Sequence, residues 1–198
     1  MFAQVQDGAI VRTGFSVQKM FPNVSFSGMP NSQFLTENNI QDVVEAERKD
    51  RLYYYVTQGD VVLVDGVPTQ QYTNTAMAVE DVDAVDSDGN PIYVQEYDAS
   101  ANGGEGAMVD TSVQMITRGL KYSFKNRIKS QANSALAGTD WMVIRKAERS
   151  VEIPAATVTY RAAVITEYDR LKVAITGAAD VDALAVVMGA QNWPVEAI

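Results

Sequence analysis

Residues 99–106 read Ala99-Ser100-Ala101-Asn102-Gly103-Gly104-Glu105-Gly106, and the character of the chain changes across them. A run of small residues with three glycines has the composition of a flexible linker, because it offers nothing for a helix or strand to bury. Upstream, short runs rich in Val, Tyr and Thr are punctuated by Gly, Pro, Asn and Asp, the pattern of strands and turns. Downstream, apolar residues recur at three- and four-residue steps, the pattern of amphipathic helices. The expectation is an α+β protein: a small N-terminal antiparallel β domain over 1–98 with an acidic hairpin, a flexible linker over 99–110, and a C-terminal module of three to four helices over 111–198.

In the first part, strands are expected at about 3–12, 52–57, 60–65, 70–79 and 91–97. Val61-Val62-Leu63-Val64 is an apolar run closed by Asp65-Gly66, with Gln70-Gln71-Tyr72 resuming the strand, so 60–75 reads as a hairpin. Asp88-Gly89 should turn a second one. Residues 31–47 leave helix and loop both open. After the linker, Val113, Ile116, Leu120, Phe124, Ile128 and Leu136 predict a helix over about 111–137, ended by Gly138. Thr139-Asp140 offers a cap for a second helix, 141–149, and Pro154 opens a third that runs to about 176. Its apolar positions are Val158, Ala162, Ile165, Leu171 and Ile175. Asp180 caps a last short helix that reaches Met188.

The sequence holds no cysteine and no histidine, which removes disulfides, Cys/His zinc sites, Ser-His-Asp triads and thiol nucleophiles. No apolar run approaches the roughly 20 residues that cross a bilayer, and residues 1–20 lack a basic-then-apolar leader, so a soluble, non-secreted product is expected. No cofactor or metal is expected. Asp81 to Asn90 has the look of an EF-hand loop, but with Gly89 at position 6 the first ligand would be Ala84 and the twelfth Gln95, so the carboxylates calcium needs are missing. Gly103-Gly104-Glu105-Gly106 precedes no Lys-Ser/Thr pair and is no phosphate loop. Paired carboxylates are the remaining route to acid/base chemistry, and nothing singles out a pair.

Charge is divided as sharply as pattern. The net charge is −9; residues 1–111 carry 17 acidic and 5 basic residues, and 112–198 carry 8 acidic and 11 basic. From Glu80 to Asp110 there are nine carboxylates and no base, and from Thr111 to Thr139 five bases (Arg118, Lys121, Lys125, Arg127, Lys129) and no acid. Two readings follow: oppositely charged faces that attract within the protomer, or a docking surface for a partner of opposite sign. The aromatic interleaving of the basic helix is thin, and its apolar face is more simply a core face, so neither nucleic acid nor a membrane is expected as partner. Tyr53-Tyr54-Tyr55 should place Tyr53 and Tyr55 on one strand face as an interface anchor and Tyr54 on the other.

Two stretches resemble proteins of tailed bacteriophages. Val61 to Tyr72, with its Asp-Gly turn and Gln-Gln-aromatic return, is similar to a hairpin of tail-fibre assembly and tail-associated proteins. Thr139-Asp140-Trp141-Met142-Val143-Ile144-Arg145-Lys146-Ala147-Glu148-Arg149, then Ile153-Pro154-Ala155-Ala156, Tyr160-Arg161-Ala162-Ala163 and Asn192-Trp193-Pro194, resembles their helical C-terminal module. The resemblance implies a non-enzymatic virion protein of the tail or baseplate, made in the host cytoplasm. It would be an adaptor that joins a tail fibre or neighbouring tail protein and forms a homo-oligomer in the particle. The rival implication is a tail-fibre assembly chaperone absent from the finished virion; a third reading, a carboxylate hydrolase of host glycan, is the weakest. Trp141, Ile144, Tyr160 and Trp193 are the expected packing anchors, and Arg145, Arg149 and Arg161 the expected polar contacts. Tyr53, Tyr55, Lys121, Lys125 and Lys129 complete the expected partner-binding set.

Overall fold

A computed structural model of the chain describes residues 1–196, and the protein is α+β. It divides into two units, Met1–Ala76 and Met77–Ile198. The first unit opens with strands β1 (Phe2–Gln6) and β2 (Ala9–Gly14), followed by short helices α1 (Val17–Met20) and α2 (Ser32–Glu37). Strands β3 (Ile40–Asp42), β4 (Val44–Glu45), β5 (Tyr54–Val64) and β6 (Val67–Ala76) complete it. Two three-stranded sheets result, ordered β2-β1-β3 and β4-β6-β5, antiparallel except for the short β4–β6 pairing.

Local turn chemistry explains most of this unit. Asp65 and Gly66 both adopt positive φ, the geometry a two-residue hairpin turn requires, and β5 and β6 pair from Val64↔Val67 to Tyr54↔Ala76. The expected strands 52–57 and 60–65 are one strand, interrupted only by a bulge between Gln58 and Val61. Conversely, the single strand expected at 3–12 is a hairpin, because Asp7 and Gly8 form the same positive-φ pair. Within 31–47, Asn31 caps α2 by accepting from the Phe34 N–H at 2.9 Å, and the following residues are strand.

The second unit holds β7 (Val82–Asp83), β8 (Tyr93–Asp98), β9 (Ala107–Gln114) and β10 (Ile116–Thr117), then α3 (Leu120–Ala137), α4 (Asp140–Arg149), α5 (Ala155–Gly177) and α6 (Val181–Gly189). Its core lies where α5 packs on α3 and α6: Phe124, Ile128, Val164, Leu171, Ile175, Leu184 and Met188 are buried. Ile165 and Val158, expected on the apolar stripe of the third helix, are half exposed, and Val164 and Glu167 take the inward positions instead.

Two expectations are corrected here. The linker over 99–110 is the tip and return strand of a hairpin: Gly103, Gly104 and Gly106 all adopt positive φ, and β9 begins at Ala107, paired with Asp98. The small-residue composition reflected a tight loop end and no hinge. The helix expected from 111 begins only at Leu120, because Thr111, Val113 and Ile116 are β-branched and extend as strand before Gly119. The unit boundary accordingly falls at Ala76, well before residue 99.

The start of α3 depends on residues 78–81. Leu120 N–H donates to the Ala78 carbonyl at 2.9 Å, Lys121 N–H to the Val79 carbonyl at 3.0 Å, and Gly119 N–H to Asp81 Oδ1 at 2.8 Å. Three helix-start donors are thus satisfied by one extended segment. The approach is so close that a Cβ at Gly119 would overlap the Glu80 carbonyl, while one at Gly138, which has helical φ, would meet open space. Gly119→Ala should destabilise the protein by about 1–3 kcal/mol. Gly138→Ala should leave stability unchanged or raise it by about 0.4–1 kcal/mol. Denaturant titration of both variants checks the contrast.

Candidate functional site

The acidic and basic segments that abut in sequence also meet in space. Arg118 pairs with Asp81 at 2.6 Å, and Lys121 with Glu80. Asp81 is held below its ordinary carboxylate value, first by the Gly119 N–H and then by Arg118, with Lys125 adding its charge. Lys121 is buried and also donates to the Thr176 carbonyl at 2.9 Å, which ties the start of α3 to the end of α5. Expected as a partner contact, Lys121 is instead an internal tether. Lys125 and Lys129 remain on the outward flank of α3, where Lys129 is exposed.

Arg161 is likewise internal. It donates to the Leu136 carbonyl at 3.1 Å, to Thr139 Oγ1 at 2.6 Å and to Asp140 Oδ1 at 2.9 Å. One turn of α5 thereby satisfies the open end of α3 and fixes the first residue of α4. Tyr160 does the same one residue earlier, its hydroxyl donating to the Ala135 carbonyl at 3.0 Å. Thr139, at the elbow, is 1% exposed. The Thr139-Asp140 and Tyr160-Arg161 motifs, 21 residues apart, are two halves of one corner.

That corner presents α4. The helix has ten residues and none is buried; Trp141 is 50% and Ile144 57% exposed. The Arg145 guanidinium stacks on the Trp141 ring at 4.7 Å, and its Nε is covered without an acceptor among the described residues. Arg149 is exposed in the last turn, and Lys146 pairs with Glu152 at 2.7 Å. Trp141, Ile144, Arg145 and Glu148 fall on one helical face at three- and four-residue spacing. An isolated helix shorter than about 12–15 residues is marginal in water, so a ten-residue helix with an open aromatic face relies on its corner and on whatever covers it.

Trp193 is half-buried and bonded within its own segment. Its Nε1 donates to Gln191 at 2.8 Å, and the segment is held by Glu167, which accepts the Asn192 N–H at 2.7 Å, and by Arg170, which donates to the Ala190 carbonyl at 2.8 Å. Nothing in the sequence reading singles out Glu167 and Arg170, and their i,i+3 spacing is the available signal. The tyrosines also divide differently than expected. Tyr53 precedes β5 in a turn and is buried, Tyr54 lies under Lys49, whose Nζ donates to its hydroxyl at 3.1 Å, and Tyr55 is 63% exposed. Tyr53 therefore shares no open face with Tyr55.

Elsewhere, an apolar cleft of about 170 Å³ in the first unit is lined by Phe2, Phe15, Val17, Met29, Pro30 and Leu35, with no titratable side chain. Among the described residues no group of three or more acids is placed to hold a metal ion, and no helix is long and apolar enough to cross a membrane. Compared with family models, curated proteins and solved structures, the chain matches none.

The Glu167 anchor gives a pH test. Arg170's two N–H donations, then the Asn192 N–H, hold this carboxyl below its ordinary 4.5 against the opposing effect of burial. The unfolded chain therefore takes up the proton at higher pH than the folded chain. The stabilisation is complete above that value and is lost as pH falls through the lower folded one. Glu167→Gln should be less stable than the parent by about 1–2 kcal/mol at pH 7 and should approach it near pH 3, as measured by chemical denaturation. Equal deficits at both pH values would contradict the ion pair.

Proposed function

We propose that the chain is a non-enzymatic protein of the tail or baseplate of a tailed bacteriophage, an adaptor that joins a tail fibre or neighbouring tail protein. The observation that carries this is the α4 face. Trp141, Ile144 and Arg145 form an aromatic, aliphatic and cationic cluster of the composition that dominates protein interfaces, on a helix with no buried residue. Arg161 and Thr139 orient that helix rigidly, which limits the ordering cost of a partner binding there. Arg149 extends the cationic end of the face, and Tyr55 offers a separate exposed ring in the first unit. The motif resemblance supplies the phage context, and the same helices that carry it build the corner.

Mass spectrometry of gradient-purified particles tests the reading. The chain should be present at a fixed small multiple relative to the major tail proteins. Absence from particles with abundance in the lysate would overturn the adaptor reading in favour of an assembly chaperone. Trp141→Ala with Ile144→Ala should abolish incorporation while circular dichroism stays that of the parent, since neither side chain is buried.

A further inference from the structure

The β8–β9 ribbon stands out from the second unit with little behind it. Its two strands bond to each other, and its base is joined to residue 84: Ala84 N–H donates to the Met115 carbonyl at 2.8 Å, and Ile92 N–H to the Ala84 carbonyl at 3.0 Å. Beyond that base, apolar side chains lie open. Tyr97 and its cross-strand partner Met108 are 66% and 56% exposed, and Val113 is 61% exposed. A two-stranded ribbon is marginal in water unless something covers a face.

Charge decides what can cover it. Of the nine carboxylates from Glu80 to Asp110, Glu80 and Asp81 are paired with Lys121 and Arg118. The rest, Asp83, Asp86, Asp88, Glu96, Asp98, Glu105 and Asp110, face no cation among the described residues. Ribbon against ribbon would therefore oppose acid to acid. The complementary surface is carried by the same chain. Helix α3 has no acid, and its outward flank sets Tyr122, 45% exposed, beside Lys125 and Lys129 at a four-residue step. Among the described residues Lys129 has no acidic partner, and Lys125 shares only the longer-range field of Asp81.

Surface area points the same way. The chain exposes 13275 Å². Two separate compact units of these lengths would expose about 11,000 Å² together, so the excess is about 2,000 Å² however the units are arranged. A head-to-tail contact of ordinary size covers two different patches on each chain, about 800 Å² apiece, and so lies within that excess.

We propose that the β8–β9 ribbon of one copy lies across the Tyr122–Lys125–Lys129 flank of α3 in a second copy, so that chains assemble head to tail. Tyr97 and Met108 supply the apolar contact against Tyr122, and Asp110, on the same face of the ribbon, meets the two lysines, while Glu96 and Asp98 on the opposite face add only to the ribbon's negative field. Because each single contact leaves one ribbon and one flank free, head-to-tail chains close as a ring or grow as a filament, whereas reciprocal exchange of the two contacts between two copies would give a two-fold dimer. The contact uses neither Trp141 nor Ile144, so it stands apart from the tail reading, and failure of one leaves the other intact.

Sedimentation velocity of the purified full chain, with two charge reversals, tests it. Lys125→Glu with Lys129→Glu, and separately Asp110→Lys, should each weaken self-association at least about tenfold. An equimolar mixture of the two variants should restore it, since each then meets an opposite charge on both sides. The parent assembly should also weaken as salt rises from low to about 0.5 M. A parent that stays monomeric at every concentration, an oligomer indifferent to both reversals, or a mixture that fails to reassociate would each overturn the proposal.

Discussion

The N-terminus of α3 is the constraint on which the second unit depends. A helix start leaves donors that no residue of the helix can satisfy, and here residues 78–81 satisfy three of them in one pass. That requirement brings an acidic segment against a basic one, brings Glu80 within reach of Lys121, and through Lys121 fixes the end of α5. Gly119 is needed because the two backbones meet without room for a side chain. The opposite charges along the sequence are therefore first a device of folding, and only their unspent remainder is available for contact with other molecules.

The same logic recurs at the other helix ends. Tyr160 and Arg161 cover the last carbonyls of α3, Asp180 caps α6 through the Ala183 N–H, and Glu167 with Arg170 holds the segment after α6. Polar side chains from distant turns thus do at the helix ends what the small apolar core does at their centres. The core itself is thin, with Ile128, Leu171, Ile175 and Leu184 fully buried, and so the capping bonds set helix directions that packing alone would leave loose.

Much of this was legible where chemistry is local. Asp65-Gly66 and the Gly89 that follows Asp88 announced turns because positive φ selects those residues, and Pro154 and Asp180 marked helix starts for reasons confined to one turn. Asp7-Gly8 carried the same signal and was absorbed into one long strand. Ala99 to Gly106 misled because a hairpin tip and a linker draw on the same small residues. Val113 and Ile116 misled because they satisfy a helical step and a strand equally, and β-branching was the evidence that should have decided. The roles of Lys121 and Arg161 could not be read at all. A lysine looks alike whether it meets solvent or a carbonyl 55 residues away, and only the packing of α5 on α3 tells the two apart.

The Arg161 corner carries a consequence for timing. During synthesis α4 leaves the ribosome before Arg161 does, and a ten-residue helix without its corner has little reason to persist. The Trp141 face exists as a shaped surface only after α5 has followed and reached back to Leu136 and Asp140. At ordinary elongation rates of about 5–20 residues per second, that interval is on the order of seconds. The corner and the exposed face that it shapes are thus completed together, and neither precedes the arrival of α5.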